Sequence, residues 1–141
     1  MNVFIDANIL VSVLNKEYPV FTYSARILSL AGSNQFTLFT SPVCLAIAFY
    51  FAEKKYKSAA AKQKIGLLCE HINIAGVDAG AVKKCLDNPS IKDFEDGVEY
   101  YAALDSKCHC IVTEDTGDFY FSKIEVLNSH DFFLKHMAKK K

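Results

Sequence analysis

The sequence predicts an α/β domain in which helices cover both faces of a central parallel sheet of four to five strands. Short apolar runs of strand length alternate along the chain with longer segments whose apolar residues recur at helical spacing. Of the 141 residues, 51% are hydrophobic and the formal net charge is zero, which excludes a disordered chain. We therefore expect residues 1–141 to form a single domain with a three-layer α/β/α arrangement.

The first third of the chain sets this alternation. Residues 3–5 form an apolar run that predicts a buried strand, and the apolar residues of 9–14 follow it at helical spacing. A second helical pattern covers residues 23–30 and stops at Gly32. Residues 36–40 then predict the second strand, so the chain reads as strand, two helices and strand.

The third helix begins at Ser41-Pro42, because proline is well tolerated in the first helical turn. It extends over residues 43–55 and is apolar nearly all round, so we expect it to be deeply buried. The remaining predicted elements are, in order, a helix over 59–69, a short strand over 71–75, a helix capped by Asp78 and ending near residue 86, a helix capped by Asp93 and reaching about residue 107, strands over 110–113 and 124–127, and a final helix from residue 129 or 130.

Composition also limits where and how the protein acts. The cysteine count is odd, at five, and no signal peptide is recognisable, which favours reduced thiols in the cytoplasm. Cys108 and Cys110 are too close together for a usual zinc pair and lack a second pair, so we expect them to be structural. No apolar run approaches the roughly 20 residues of a membrane span. We expect the Lys139–Lys141 tail to be solvated, and zero net charge means that nucleic acid would need a local patch or a metal.

Acidic side chains are concentrated where the predicted strands end. Asp6 follows the first strand, and Asp115 and Asp118 follow the strand over 110–113. Asp93 and Asp96 open a helix, and their spacing of three places both on one face. Ligand sites of open parallel sheets lie at the carboxyl ends of the strands, so we expect these acids to lie near one another.

Several of these acids also have simple structural interpretations. Asp93 suits a helix N-cap, Asp96 favours the helix dipole, and Asp115 and Asp118 suit a turn. Asp6 is different, because it directly follows core residues, where a lone charge is costly unless it is paired or metal-bound. Mg²⁺ or Mn²⁺ would relieve the repulsion among acids gathered at this edge.

With these motifs in order, the sequence resembles the PIN-domain family, which includes the VapC-type toxin ribonucleases. The resemblance covers almost the whole chain. It is carried by Phe4-Ile5-Asp6-Ala7-Asn8-Ile9-Leu10, by Ser41-Pro42, by Asp96 with Ala102-Ala103, and by Thr113-Glu114-Asp115-Thr116-Gly117-Asp118-Phe119.

The resemblance implies a metal-dependent endoribonuclease that cleaves single-stranded or structured RNA, as the toxin of a toxin–antitoxin pair. It assigns the Mg²⁺ or Mn²⁺ ligands to Asp6, Asp96 and Asp115, with Asp118 as a fourth. Asn8 and Thr113 would orient carboxylates or water by hydrogen bonding. An antitoxin protein and a second copy of the chain are the implied partners. The apolar residues of 18–30 and 43–51 also favour a homodimer or an antitoxin-like peptide.

One departure from the family pattern concerns the third helix. Many members carry a glutamate about six residues after the serine, where this chain has Ile47. Glu53 lies six residues further, roughly 9 Å along the helix, and should not substitute. Asp93 or Glu99 could supply the missing charge. Without it, the alternative is a catalytically weakened PIN-like domain that binds a protein or RNA.

Two further classes share parts of the pattern. A haloacid-dehalogenase-type phosphatase also begins with a strand and Asp-x-Asp, but Asn8 replaces the second acid and no partner lysine can be placed. A receiver-type signalling domain needs a phosphorylatable aspartate in mid-chain, where only Asp78 is available. Both interpretations rank below the nuclease.

Overall fold

The computed structural model describes residues 1–138, so the Lys139–Lys141 tail lies outside the described residues. Its sheet has five strands in the order β3-β2-β1-β4-β5, and every neighbouring pair is parallel. This confirms the predicted α/β class and its parallel sheet. The strands are β1 (Asn2–Ile5), β2 (Thr37–Thr40), β3 (Asn73–Ile74), β4 (Cys110–Val112) and β5 (Glu125–Leu127).

The helices that flank the sheet follow the predicted order, and their ends differ from the predicted ones by a few residues. They are α1 (Ala7–Leu14), α2 (Phe21–Leu28), α3 (Pro42–Lys55), α4 (Ser58–Cys69), α5 (Ala79–Asp87), α6 (Phe94–Asp105) and α7 (Ser129–Phe132). Short 3-10 turns cover Ser29–Gly32 and Thr116–Phe119, and a π-helical turn covers Phe133–Met137. Within the described residues, none of these helices is both long enough and apolar enough to span a bilayer.

Side-chain caps fix where three of the helices begin. Ser41, Asp78 and Asp93 are the N-caps of α3, α5 and α6, and each side chain accepts a hydrogen bond from a backbone N–H in the first turn. Such caps satisfy amide groups that have no partner within the helix. The three helix starts predicted from these residues are confirmed.

The centre of the core lies around the two middle strands. Val3, Phe4 and Ile5 of β1 and Ile111 and Val112 of β4 are fully buried. Because β1 and β4 are adjacent and parallel, the residues that follow them emerge side by side at one edge of the sheet. This arrangement places Asp6 next to the segment that begins at Thr113.

The third helix differs from the sequence prediction. Only the stripe formed by Cys44, Ala48 and Ala52 is fully buried, whereas Tyr50 and Phe51 are 52% and 43% exposed. The buried positions are four residues apart, so they share one face and let α3 pack closely beside α1. The prediction that α3 is deeply buried is therefore wrong, because the opposite face remains in solvent.

The cysteines behave as the sequence suggested. All five lie within the described residues and are free thiols. Burial raises the pKa of the Cys108 and Cys110 thiols to about 12, which disfavours the thiolate that binds metal. A structural role for both residues fits these surroundings.

Candidate active site

The acids predicted from the sequence open onto one cavity of about 420 Å³ at the carboxyl edge of the sheet. Strand ends, the loop after β4 and the start of α6 all contribute to its wall. The lining residues are Asp6, Ala7, Asn8, Val11, Glu17, Ile47, Phe51, Asp93, Glu95, Asp96, Asp115 and Asp118. Every predicted metal ligand is therefore in this wall, and Thr113 lies directly behind it.

Asp6 has two roles in the local structure. It is the N-cap of α1, and its Oδ1 accepts a 2.6 Å hydrogen bond from the backbone N–H of Ala7. Its Oδ2 accepts a 2.7 Å hydrogen bond from the hydroxyl of Thr113. With 7% of its surface exposed, the carboxylate is held in one orientation at the floor of the cavity.

Asn8 and Thr113 connect Asp6 to Asp115. The side-chain amide of Asn8 donates hydrogen bonds to Thr113 Oγ1 (3.0 Å) and Asp115 Oδ2 (3.2 Å), and its Oδ1 accepts one from the backbone N–H of Glu114. The backbone N–H of Asp115 also donates to Thr113 Oγ1. Asn8 and Thr113 thus make the hydrogen bonds expected of residues that orient the carboxylates.

The third acidic segment is the first turn of α6. Asp93 Oδ1 accepts a hydrogen bond from the backbone N–H of Asp96 at 3.1 Å, which fixes the start of the helix. A side chain at Gly97 would lie 2.4 Å from Cys85 Sγ and 2.6 Å from Ile91, so glycine allows α6 to pack closely against α5. This contact sets the position from which Asp96 enters the cavity.

Asp96 has an unusual protonation behaviour for an aspartate. Burial, together with the nearby charges of Asp93, Asp6 and Asp118, raises its pKa to about 7. Burial and the charge of Asp93 also raise the pKa of Glu95. The cavity therefore holds more negative charge than its surroundings neutralise.

From the sequence, Glu99 was expected only as an alternative source of the missing charge. In the structure it is buried behind Asp6. Glu99 is 1% exposed, and the Cys44 thiol donates to its Oε1 with a sulfur–oxygen distance of 2.8 Å. The same sulfur lies 3.8 Å from Asp6 Oδ1. Burial, followed by the negative charge of Asp6, raises the pKa of Glu99 to about 10. The signal for Glu99 was its spacing of three from Asp96, whereas no sequence signal indicated Cys44.

The tightest group of candidate ligands differs from the predicted one. Among the described residues, Asp6, Cys44 and Glu99 offer ligand atoms that all lie within 4.8 Å of one another, and no corresponding group joins Asp6 to Asp96 and Asp115. The predicted ligands share a cavity but are spread around its wall. Binding to one ion would require the side chains of Asp96 and Asp115 to rotate inward.

The position of the missing third-helix glutamate is part of the same wall. Ile47 lines the cavity, whereas Glu53 is exposed and lies outside the set of residues that line it. Phe51, one turn beyond Ile47, and Val11 of α1 continue this apolar side. The cavity thus has an acidic side and an apolar side.

The donor set of the acidic side suits a hard divalent cation. The lining includes carboxylates from four chain segments and the amide of Asn8, and the described lining residues include no lysine, arginine or histidine. Oxygen ligands of this kind are those that Mg²⁺ and Mn²⁺ prefer. The raised pKa of Asp96 reflects repulsion and desolvation that a bound cation would relieve.

A five-stranded parallel sheet with acids gathered at the carboxyl ends of its central strands defines the class of this protein. The chain belongs to the PIN domain family, whose sequence pattern matches residues 2–117. It is 27% identical over 137 residues to ribonuclease VapC1 of Aquifex aeolicus (strain VF5), and the match covers 92% of each chain.

Solved structures of low sequence identity share the fold. VapBC2 of Rickettsia felis, solved bound to a DNA fragment from its promoter, has a chain that superposes with a TM-score of 0.67 at 20% identity, covering 91% of this chain and 98% of that one. VapC20 of Mycobacterium tuberculosis, a toxin that cleaves the sarcin-ricin loop, gives a TM-score of 0.60 at 13% identity, covering 77% and 86%. These similarities confirm the predicted PIN-like fold.

Proposed function

We propose that this protein is a divalent-metal-dependent endoribonuclease of the VapC type, which cleaves single-stranded or structured RNA in the cytoplasm. The observation that carries the proposal is that Asp6, Asp96, Asp115 and Asp118 all line one cavity, with no neutralising basic side chain among the described lining residues. Burying so much unpaired charge is costly unless a cation binds there. Mg²⁺ or Mn²⁺ is the cofactor that fits these ligands.

Each residue has a role in this proposal. Asp6, Asp96 and Asp115 hold the metal, with Asp118 as a fourth ligand and Asp93 fixing the helix start that presents Asp96. Thr113 and Asn8 hold the carboxylates of Asp6 and Asp115 through the hydrogen bonds described above. The chemistry that a metal would supply at these residues is a lower pKa for a water molecule and neutralisation of charge on the phosphate under attack.

The chain itself supplies no side-chain nucleophile in this mechanism. Cys44 is the thiol beside Asp6, but it is fully buried, and burial together with the charges of Glu99 and Asp6 raises its pKa well above the ordinary value. A thiol in these surroundings stays protonated and out of reach of a phosphate. Hydrolysis by an activated water is the chemistry that the remaining residues support.

We further propose that the protein associates with a second copy of itself or with an antitoxin-like peptide. The solved neighbour from Rickettsia felis is VapBC2, and the family resemblance implies an antitoxin partner. Tyr18 is 71% exposed and does not line the cavity, so the segment around it presents an aromatic surface suited to a partner. Sedimentation at high concentration would test self-association, and a monomer that also captures no antitoxin-like peptide would contradict this part of the proposal.

A non-catalytic PIN-like module that binds RNA or protein is the second candidate function. Ile47 is the observation that favours it, because an isoleucine stands in the cavity wall where many family members have a glutamate. Such a module would retain RNA or protein binding without cleavage. Glu99 does not decide between the two functions, because it adds a carboxyl group beside Asp6 but its pKa of about 10 keeps that group protonated at neutral pH.

One set of variants separates these two functions. Asp96→Asn and Asp115→Asn each remove one ligand charge from the cavity, and Asp105→Asn removes a charge from the exposed end of the same helix as Asp96. Calorimetric titration with Mn²⁺ and cleavage of total RNA are measured for all three and for wild type. If the protein is an active nuclease, wild type and Asp105→Asn bind Mn²⁺ and cleave RNA. Asp96→Asn and Asp115→Asn do neither.

Two results would contradict the proposed nuclease function. If wild type binds no Mn²⁺, these acids do not form a metal site. Wild type that binds Mn²⁺ and RNA without cleaving it is the binding module instead. Chelation by EDTA, which removes the cation, checks that any observed cleavage depends on metal.

A further inference from the structure

The cavity has a second side that the metal chemistry does not use. Phe51 and Ile47 are four residues apart on α3, so they lie one helical turn apart on the same face. Val11 of α1 also lines the cavity. We call Val11, Ile47 and Phe51 the apolar wall, which lies in the same cavity as the acids.

We propose that the apolar wall binds a nucleobase of single-stranded RNA next to the phosphate that is cleaved, with Phe51 as the stacking residue. The proposal rests on the nuclease function proposed above. The cavity, at about 420 Å³, falls within the range of small-ligand sites, so it has room for one base beside a phosphate. A nucleotide fits this cavity, because its phosphate can bind a cation held by the acids and its base can pack against the apolar wall.

Charge complementarity supports this choice of occupant. The described lining residues include no basic side chain that could attract a phosphate, so the phosphate must be held through a cation at Asp6, Asp96 and Asp115. The lining also includes the aliphatic and aromatic side chains of the apolar wall, which cannot bind a phosphate. Aromatic side chains bind bases by stacking without requiring a particular sequence, since every base has a π face.

Phe51 is available for such stacking. It is 43% exposed although it belongs to the wall of a cavity. The Lys54 ammonium lies 4.2 Å from the centroid of the Tyr50 ring but 5.8 Å from that of Phe51. Lys54 therefore lies closer to the Tyr50 ring than to the Phe51 ring, which leaves the Phe51 ring free of a close cation contact.

Tyr50 provides a matched control. It precedes Phe51 on the same helix, has a ring of similar size and is 52% exposed, but it does not line the cavity. Both residues can be truncated to alanine with similar loss of exposed surface. Circular dichroism and thermal melts establish that each variant is folded, and Phe51→Tyr keeps an aromatic ring in case Phe51→Ala does not fold.

The test measures binding of two end-labelled decamers by fluorescence anisotropy in Mn²⁺. One is oligoadenylate RNA, and the other is a chain of abasic ribose phosphates with the same charge and no bases. Gel electrophoresis checks that the RNA stays intact, and where it is cleaved, KM and kcat are measured instead. We expect Phe51→Ala to weaken oligoadenylate binding about tenfold. In the kinetic assay, the same loss should raise KM and leave kcat unchanged. Binding of the abasic decamer stays unchanged, Tyr50→Ala behaves as wild type, and Phe51→Tyr restores the affinity.

Each contrary result overturns the proposal in a distinct way. Equal effects of Phe51→Ala and Tyr50→Ala, or equal losses for both decamers, remove the stacking role while leaving the nuclease in place. A change in the sedimentation of Phe51→Ala would mean that the wall is covered by a second copy of the chain. Wild type that neither binds nor cleaves the RNA in Mn²⁺ would remove the proposed function and this inference together.

Discussion

The hydroxyl of Thr113 donates a 2.7 Å hydrogen bond to Oδ2 of Asp6, across a separation of 107 residues. The two residues come together because β1 and β4 are adjacent parallel strands that end at the same level. The same hydroxyl oxygen accepts hydrogen bonds from the amide of Asn8 and the backbone N–H of Asp115. Thr113 therefore joins the acid after β1 to the acid after β4.

Thr113→Val keeps the shape of this side chain and removes all three hydrogen bonds. Because Thr113 is fully buried, we predict a loss of about 1–3 kcal/mol in the free energy of unfolding, together with weaker Mn²⁺ binding and slower RNA cleavage. Denaturant titration in EDTA and calorimetry with Mn²⁺ measure the two effects.

A matched control exists at the end of β2. Thr40 is also buried, and its hydroxyl donates to the backbone carbonyl of Ile5 at 2.9 Å. Thr40→Val should lose similar stability without a change in Mn²⁺ affinity. If both variants weakened Mn²⁺ binding equally, Thr113 would have no specific part in orienting the acids.

Glu99 gives the protein a pH-dependent stability of defined sign. Its folded-state pKa is raised to about 10 from the ordinary 4.5, chiefly by burial and then by Asp6. Between these values the unfolded chain releases a proton that the folded protein retains, so the free energy of unfolding falls as pH rises. Glutamine does not ionise, so Glu99→Gln removes this loss of stability at high pH. In EDTA, we predict that the variant melts above wild type at about pH 8, and that the difference is larger there than at about pH 5.

Glu53→Gln is the control for this experiment, since Glu53 is an exposed glutamate of α3. It should melt like wild type at both pH values. A Glu99→Gln variant that melted below wild type at the higher pH would show that Glu99 is charged and stabilised in the folded protein.

Metal affinity should depend on pH through Asp96. Its pKa of about 7 means that Mn²⁺ must displace a proton at lower pH, so the apparent affinity should weaken by about tenfold for each pH unit below 7. Calorimetric titrations at about pH 6 and about pH 8 measure this difference. Asp96→Asn should bind Mn²⁺ more weakly and lose much of the pH dependence, whereas Asp105→Asn should retain it. A wild-type affinity that is the same at both pH values would exclude Asp96 as a ligand.

Ile47→Glu restores a carboxylate at the third-helix position in the cavity wall. Without metal, the added charge faces Asp6 and Asp96, and we predict destabilisation of about 1–3 kcal/mol in EDTA. With Mn²⁺, the extra ligand should increase the rise in melting temperature beyond that of wild type. Ile47→Gln, of the same size but neutral, should show no such increase. An equal response of the two variants would mean that a charge at this position does not reach the metal.

The architecture was largely predictable because it depends on local patterns. Hydrophobic periodicity identified the strands and helices, and Ser41, Asp78 and Asp93 identified three helix starts through hydrogen bonds that span only three residues. The edge position of the acids followed from topology, since parallel strands place their carboxyl ends together. The presence of Asp6, Asp96 and Asp115 in one cavity could therefore be anticipated without coordinates.

Other features depended on how separate elements pack. Cys44 and Glu99 are 55 residues apart, and only the position of α3 relative to α6 brings the thiol and the carboxyl group together beside Asp6. The apolar sequence of α3 predicted a deeply buried helix. Burial depends on which other elements pack against a helix, and Phe51 is 43% exposed. Local sequence thus determined the order of the elements and three of the helix starts. Tertiary packing decided that the Glu99 carboxyl group is buried and that the Phe51 ring stays partly exposed, because both depend on contacts between distant parts of the chain.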